Sequence, residues 1–207
     1  MRIDFEDLQL YTGINHLRFD SYVQDSYLNN VKYYEELNED SWFYKSSPYY
    51  LFEIARLRDS GLYEIMYDYI KRRVDRGKTV FDFGAGVGTL EVLLLKRYPA
   101  ALTVEEMNLL CLDFIFWRLH RRNVDPSPPA RHYDYVISMD TLHRLPIESA
   151  EKTLNWLMSM GDRCFIYVPE DSRGPFCNEL AFDLEQYITP RAKEVSCFHG
   201  LWDIKMT

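Results

Sequence analysis

The sequence is poor in cysteine, has no long apolar run and carries fewer positive than negative charges. Its four cysteines stand apart among 207 residues, with no Cys-x-x-Cys pair and no histidine cluster beside them. We therefore expect buried reduced thiols instead of disulfides or a zinc site, and no bound metal. No apolar run reaches the roughly 18 residues of a membrane-spanning helix, and the N-terminal segment is too acidic for a signal peptide. These absences predict a cytoplasmic protein without a membrane partner.

The shortage of positive charge bears on the kind of partner that the chain binds. Lysine and arginine number 24 against 32 aspartate and glutamate residues, which gives a formal net charge of −8. Proteins whose main function is to hold nucleic-acid phosphates are typically basic. Two basic clusters, at residues 71–78 and 118–122, end predicted helices, where the helix dipole favours solvated cations. We therefore expect no nucleic-acid partner.

The first 76 residues have helical patterns and no convincing strand. A polar helix is predicted over residues 20–38, and a second helix begins with Ser47 as its N-cap and ends at Gly61. The next helix is predicted to bury one face, formed by Leu62, Ile65, Met66, Tyr69 and Ile70. We expect residues 1–76 to form a helical cap or lid.

From residue 79 onwards, β-branched segments alternate with apolar helical patterns. Strands are predicted at residues 79–83, 101–105, 133–139 and 163–168. Helices are predicted at residues 88–98, 107–121, 147–160 and 176–188. This alternation predicts an α/β domain over residues 77–207, with a Rossmann-like, doubly wound and mostly parallel sheet. The last segment, 194–207, predicts an antiparallel hairpin with a tight turn at His199-Gly200.

The glycine-rich turn after the first strand is the most informative motif. Asp82, Gly84, Gly86 and Gly88 form the pattern D-x-G-x-G-x-G between a predicted strand and a predicted helix. Glycine at these positions allows positive φ angles and lets a ligand approach the backbone, although it also serves close helix-strand packing. An acidic residue at the head of the turn would repel a pyrophosphate. The pattern therefore favours a ligand that carries a positive group.

An acidic pair at the end of the second strand adds to this reading. Glu105 lies seventeen positions after Gly88, where a carboxylate can accept hydrogen bonds from both hydroxyls of a ribose. Because the pattern does not fix the strand end to one residue, Glu106 is an alternative acceptor. Together the two motifs predict a nucleoside with a cationic end.

Three segments, VFDFGAGVGT, LTVEEMN and YDYVISMDTLHRL, together resemble class I S-adenosylmethionine (SAM)-dependent methyltransferases of the small-molecule type. The resemblance covers residues 79–168 and implies SAM as the cofactor. It implies that the glycine loop lies against the methionine part of the cofactor and that the acid at the end of the second strand binds the ribose. It also implies that the turn after the family's fourth strand, here residues 133–139, faces the methyl group. The residues implied to bind the cofactor are Asp82, Gly84, Ala85, Gly86, Gly88, Glu105, Glu106, Met107, Ser138, Met139 and Asp140.

The sequence departs from that family in the segment between the second helix and the third predicted strand. Residues 123–132, NVDPSPPARH, stand where the family has its third strand, and three prolines cannot belong to a central strand. That strand is an edge strand in the family's sheet. We therefore expect it to be reduced or absent, which leaves the adenine side more open.

Few residues suit acid-base chemistry or contact with the sulfonium. His143 follows the third predicted strand and is a candidate base for removing a proton from the acceptor. Aromatic rings stabilise a cation, so Tyr50 is a candidate for the sulfonium, and Tyr44 and Tyr49 are candidates for the substrate. The alternative for these tyrosines is that they only pack the helical cap onto the sheet.

Three functions remain open from the sequence. The first is an enzyme that transfers the methyl group of SAM to a small-molecule acceptor. The second keeps the cofactor but transfers or cyclises its aminocarboxypropyl group and releases methylthioadenosine. The third is a SAM-binding or interaction protein without catalysis. The sequence identifies neither the acceptor nor the oligomeric state.

Overall fold

A six-stranded sheet forms the centre of the chain. The computed structural model describes residues 2–14, 28–29, 31–33, 36, 50–58, 61–169 and 183–206. The strands are β1 (Thr79–Phe83), β2 (Ala101–Glu105), β3 (Tyr133–Met139), β4 (Gly161–Tyr167), β5 (Glu194–Phe198) and β6 (Leu201–Lys205). The α-helices are α1 (Arg2–Thr12), α2 (Tyr50–Arg58), α3 (Gly61–Arg73), α4 (Thr89–Leu94), α5 (Leu109–His120), α6 (Ile147–Met160) and α7 (Leu184–Ile188).

The strand order is β2-β1-β3-β4-β6-β5, with the first four strands parallel. The pairs β4-β6 and β5-β6 are antiparallel. The hairpin between β5 and β6 turns at His199 and Gly200, whose φ angles are 51° and 77°. A two-residue type I′ turn requires positive φ at both positions. The predicted sheet and its terminal hairpin are therefore confirmed.

Helices cover both faces of the sheet, because successive residues of each strand point to opposite sides. Val80, Ile137 and Phe165 pack with α3, α4 and α5 in one buried cluster. Phe81 and Val136 pack with α6 and α7 in a second one. This arrangement leaves the carboxyl ends of the parallel strands as the edge at which loops meet.

The predicted absence of the family's third strand is confirmed. In the described part of the chain, no strand lies beyond β2, and the proline-rich segment runs along that edge instead. The backbone N–H of Ser127 donates to the carbonyl of Leu102 at 2.8 Å, and the Thr103 hydroxyl donates to the carbonyl of Pro128 at 3.3 Å. Two polar groups at the edge of the sheet thus keep partners without a further strand.

The buried face of α3 differs from the predicted one. Leu62 and Ile65 are 40% and 48% exposed. The buried residues of this helix are Tyr63, Met66, Tyr67 and Ile70. Tyr63 packs edge-on against the ring of Tyr167 in β4, with ring centres 6.0 Å apart. The large tyrosine rings fill the space above the sheet, so the helix is rotated by one residue relative to the aliphatic pattern.

One strand boundary and one cysteine differ from the prediction. Strand β4 begins at Gly161, two residues early, because α6 ends directly against it. Cys111 and Cys164 are buried, as predicted, but Cys197 on the edge strand is exposed. Some predicted features lie outside the described residues: Cys177, the Ser47 cap, residues 176–182 and most of the helix over 20–38. Within the described residues, no helix has the length and apolar character to cross a membrane.

Candidate functional site

The glycine loop has the backbone conformation that its sequence predicts. Gly84, Gly86 and Gly88 have φ angles of 77°, 62° and 72°, which side chains other than hydrogen rarely allow. A Cβ atom on Gly84 would lie 2.1 Å from the hydroxyl oxygen of Thr141. A Cβ atom on Gly88 would lie 2.9 Å from a side-chain carbon of Ile115 in α5. Both backbone conformation and close packing therefore require glycine here.

The loop is tied to the end of β2 by backbone hydrogen bonds. The N–H groups of Gly84 and Ala85 both donate to the carbonyl of Glu105, at 2.8 and 3.3 Å. The N–H of Gly88 donates to the carbonyl of Ala85 at 3.1 Å. These bonds bring the ends of β1 and β2 together, as expected at the carboxyl edge of a parallel sheet.

The two acids at the end of β2 have different surroundings. One oxygen of Glu106 accepts from the N–H of Gly86 at 2.8 Å, and the other accepts from the N–H of Asn108 at 2.9 Å. Asn108 caps α5 by accepting from Leu110 and Cys111. Glu106 therefore connects the glycine loop to the start of α5.

Glu105 instead faces a cleft. Its carboxylate makes no hydrogen bond to another described residue, and its side chain keeps exposed surface. Protein atoms around the cleft displace part of its hydration, and this desolvation raises the pKa of the carboxyl above its usual value. Glu105 thus offers free acceptor oxygens in the cleft.

The glycine-loop cleft is formed where these elements meet α2 and the turn after β3. Its lining residues are Tyr50, Phe83, Gly84, Glu105, Glu106, Met107, Asp140, Thr141 and Arg144. Six of the sequence candidates therefore meet in one place. Sequence reasoning missed Phe83, Thr141 and Arg144, although all three stand next to or within the motifs that it used.

Other candidates lie near the cleft without forming its described wall. Asp82, Ser138 and Met139 are buried at the ends of β1 and β3. Ala85, Gly86 and Gly88 belong to the loop behind Gly84 and are held by the contacts given above. Tyr44 and Tyr49 lie outside the described residues.

The turn after β3 holds an ion-paired aspartate. Asp140 has a φ angle of 60°, and its N–H donates to the carbonyl of Tyr167 at 2.9 Å. One carboxylate oxygen accepts from Arg144 at 2.9 Å, and the other lies 3.3 Å from Nε2 of His143. Arg144 also donates from Nε to the carbonyl of Asp140 at 2.9 Å. The aspartate is thus fixed between the two side chains that follow it.

His143, the candidate base, lies behind this aspartate. It is 1% exposed, in the short 3-10 helix Leu142–Arg144, and it is not in the described wall of the cleft. His143 contacts Asp140, and Asp140 lines the cleft. The carboxylate of Asp140 therefore lines the cleft, and the imidazole of His143 lies behind it.

Tyr50 is the residue of α2 that lines the cleft. It is 6% exposed and begins α2, and the Arg144 guanidinium lies 6.0 Å from the centre of its ring. Burial raises the pKa of its hydroxyl far above the usual value, with Glu106 and Asp140 adding to the rise and Arg144 opposing it. The hydroxyl therefore stays protonated at neutral pH.

A larger cavity, of about 400 Å³, lies at the other end of the strands. Its charged groups are largely paired with one another: Lys78 with Asp134 at 2.9 Å, and Arg163 with Asp203 at 2.7 Å. Within the described residues, no group of three or more His, Cys, Asp or Glu side chains could hold a metal ion. The cleft at the glycine loop, where acceptor oxygens are available, is the better candidate site.

Comparisons with known proteins identify the fold. The magnesium protoporphyrin IX methyltransferase ChlM from Synechocystis PCC 6803, solved with bound SAM, gives a TM-score of 0.55 at 16% identity, over 87% of this chain and 95% of that one. The N-methyltransferase NodS from Bradyrhizobium japonicum WM9 gives 0.57 at 12% identity, over 72% of this chain and 98% of that one. PigF, solved with SAH, gives 0.60 at 14% identity, over 97% of this chain and 73% of that one. No protein-family model matches the sequence, and neither does any curated protein. The chain therefore has the fold of class I SAM-dependent methyltransferases.

Proposed function

We propose that this chain is a SAM-dependent methyltransferase that acts on a small-molecule acceptor. The observation that carries the proposal is the meeting of the three-glycine loop, the open carboxylate of Glu105 and the Asp140 turn around one cleft. The cleft lies at the carboxyl ends of the parallel strands, where α/β folds bind their ligands. ChlM and PigF, which share the fold, were solved with SAM and SAH respectively.

The charge of the cleft suits this cofactor. Glu105, Glu106 and Asp140 carry three negative charges, and Arg144 supplies one positive charge among the described wall residues. The excess of carboxylates favours a cationic ligand such as a sulfonium, and opposes the pyrophosphate of a dinucleotide. The charges of the wall residues therefore fit SAM better than they fit a dinucleotide.

Each part of the cofactor has candidate partners in the cleft. Glu105 accepts hydrogen bonds from the ribose hydroxyls, and Met107 contacts the adenine. The backbone of Gly84 to Gly86 faces the methionine part, with Asp82, Gly88, Ser138 and Met139 supporting the ends of the strands from behind. Glu106 holds the loop in place for this contact.

The chain's residues act mainly by positioning the acceptor and excluding water, because bound SAM already supplies an activated methyl group. Tyr50 offers its ring face from α2. Where the acceptor must lose a proton, Asp140 receives it. His143, behind Asp140, stabilises this change in the protonation of the carboxylate. In this scheme residues 1–76 form the cap and residues 77–207 the cofactor-binding domain.

Isothermal titration calorimetry with SAM is the first test. The wild-type protein is expected to bind SAM with a one-to-one stoichiometry, and Gly86→Val is expected to bind none while keeping its circular dichroism spectrum. A protein that binds SAM equally well with and without the valine side chain would refute the assignment of the loop.

A further inference from the structure

A buried arginine joins the N-terminal helix to the glycine loop. Arg118, in α5, is 0% exposed. Its Nε donates to Asp7 at 2.8 Å, and one terminal nitrogen pairs with Asp4 at 2.7 Å. The other terminal nitrogen donates to the backbone carbonyl of Val87 at 2.7 Å. One guanidinium thus contacts two carboxylates of α1 and a carbonyl in the middle of the loop.

A second bond connects the same two elements. The Thr89 hydroxyl donates to the remaining oxygen of Asp4 at 2.9 Å, and Thr89 begins α4 directly after the last glycine of the loop. Asp4 is 0% exposed, and Asp7 is 5% exposed. Both ends of the segment from Val87 to Thr89 are therefore bonded into a network that α1 completes.

The charges make this network depend on α1. A buried guanidinium without a counter-charge is strongly unfavourable, and the two carboxylates that compensate Arg118 both belong to α1. If α1 undocked, the Arg118 guanidinium would move towards water to be solvated. Its hydrogen bond to the Val87 carbonyl would then weaken. The sequence prediction of a solvated helix end at residues 118–122 is accordingly wrong for Arg118.

The loop has particular need of such bonds. Glycine loses more conformational freedom on ordering than any other residue, and three glycines alternate here. Glu106 fixes the peptide N–H of Gly86 from the side of β2, and Arg118 fixes the carbonyl of Val87 from the side of α1 and α5. The two contacts hold backbone groups of neighbouring residues in the loop.

We propose that α1 is part of the cofactor-binding machinery, with Arg118 as the positioning residue that couples docking of α1 to the conformation of the glycine loop. This inference rests on the proposed function, because it concerns the affinity for SAM. Since coupling is reciprocal, an α1 that favours SAM binding must itself be stabilised when SAM binds. The N-terminal helix then reports on occupancy of a cleft to which it contributes no described wall residue.

The test combines amide hydrogen exchange with calorimetry on the full-length chain. In the wild type, saturating SAM is expected to slow exchange of the α1 amides at least about fivefold, which is at the low end of ordinary coupling. Arg118→Lys keeps the charge but cannot reach three partners, and Thr89→Val removes only the second bond. Both are expected to weaken SAM binding, about tenfold for the lysine and less for the valine, and to reduce the slowing in the same order.

Arg163→Lys is the matched control. Arg163 makes two hydrogen bonds to Asp203, each of 2.7 Å, at the other end of the sheet. This variant is expected to lower the melting temperature but to keep wild-type affinity for SAM and wild-type slowing of α1. A purely structural role of Arg118 would give the same result in Arg118→Lys, and would overturn the inference.

The remaining outcomes also decide the question. If Arg118→Lys does not fold, Thr89→Val and the wild-type exchange data still test the coupling. Unchanged α1 exchange on saturation of the wild type overturns the inference and leaves the proposed function standing. Absence of SAM binding to the wild type overturns both.

Discussion

Replacement of the two acids after β2 tests how the cleft binds the nucleoside. Glu105→Ala removes a carboxylate that bonds to no described residue, so the cofactor-free fold should keep its melting temperature. Loss of charge-assisted hydrogen bonds to the ribose costs about 1 to 3 kcal/mol. The dissociation constant for SAM should therefore rise roughly 5-fold to 150-fold.

Glu106→Ala should produce a different combination of effects. Its carboxylate accepts from Gly86 and Asn108, and loss of both bonds leaves two backbone donors without that partner. The free energy of unfolding should fall by about 1 to 3 kcal/mol, and affinity should fall because the loop is less ordered.

Calorimetry with SAM, paired with thermal unfolding without ligand, separates the two roles. The expected result is weak binding with normal stability for Glu105→Ala, and reduced stability for Glu106→Ala. Full affinity in Glu105→Ala would refute its assignment to the ribose, and a loss of affinity in Glu106→Ala without a loss of stability would move the ribose to Glu106. Full affinity in both variants would remove the nucleoside from this part of the cleft.

Three further predictions concern the loop and the stability of the sheet. Gly86→Val should abolish SAM binding, because φ is 62° at that position and a β-branched residue disfavours it; calorimetry checks this. Gly84→Ala should lower stability by about 2 kcal/mol or more, since its Cβ would lie 2.1 Å from Thr141; denaturant unfolding measures it. Asp134 accepts from the backbone N–H of Thr79, which with other hydrogen bonds lowers its pKa from 3.8 to about 2. Because the folded-state pKa is the lower one, Asp134 stabilises the protein fully above pH 4 and loses this effect as the pH falls towards 2. Asp134→Asn should therefore cost about 1 to 2 kcal/mol at neutral pH, and the difference from wild type should shrink as the pH falls through about 2 in urea titrations.

The sheet could be predicted from the sequence because its strands have local signals. Buried parallel strands are continuous apolar runs, and the hairpin turn at His199 and Gly200 has a local turn pattern. The rotation of α3 could not be predicted in this way. Periodicity gives the spacing of a buried face, but it does not distinguish a face that begins at Leu62 from one that begins at Tyr63, and only the space above β4 decides between them.

The candidate site was predictable where its residues belong to one motif. The glycine loop and the acidic pair were identified by short-range patterns, but the choice between Glu105 and Glu106 depended on which carboxylate bonds to the loop. The network of Arg118 was beyond reach for a different reason. Asp4 and Asp7 lie more than one hundred positions earlier in the chain, and a basic residue near a helix end is ordinarily solvated.

Identification of the product made from SAM tests methyl transfer directly. The protein is incubated with SAM and a panel of small phenols, amines and carboxylic acids, and the mixtures are analysed by mass spectrometry. We expect S-adenosylhomocysteine together with one acceptor in which a methyl group has replaced a hydrogen, both absent with Gly86→Val. Accumulation of methylthioadenosine above the uncatalysed background would contradict it, because the bond broken would then be the one to the aminocarboxypropyl group.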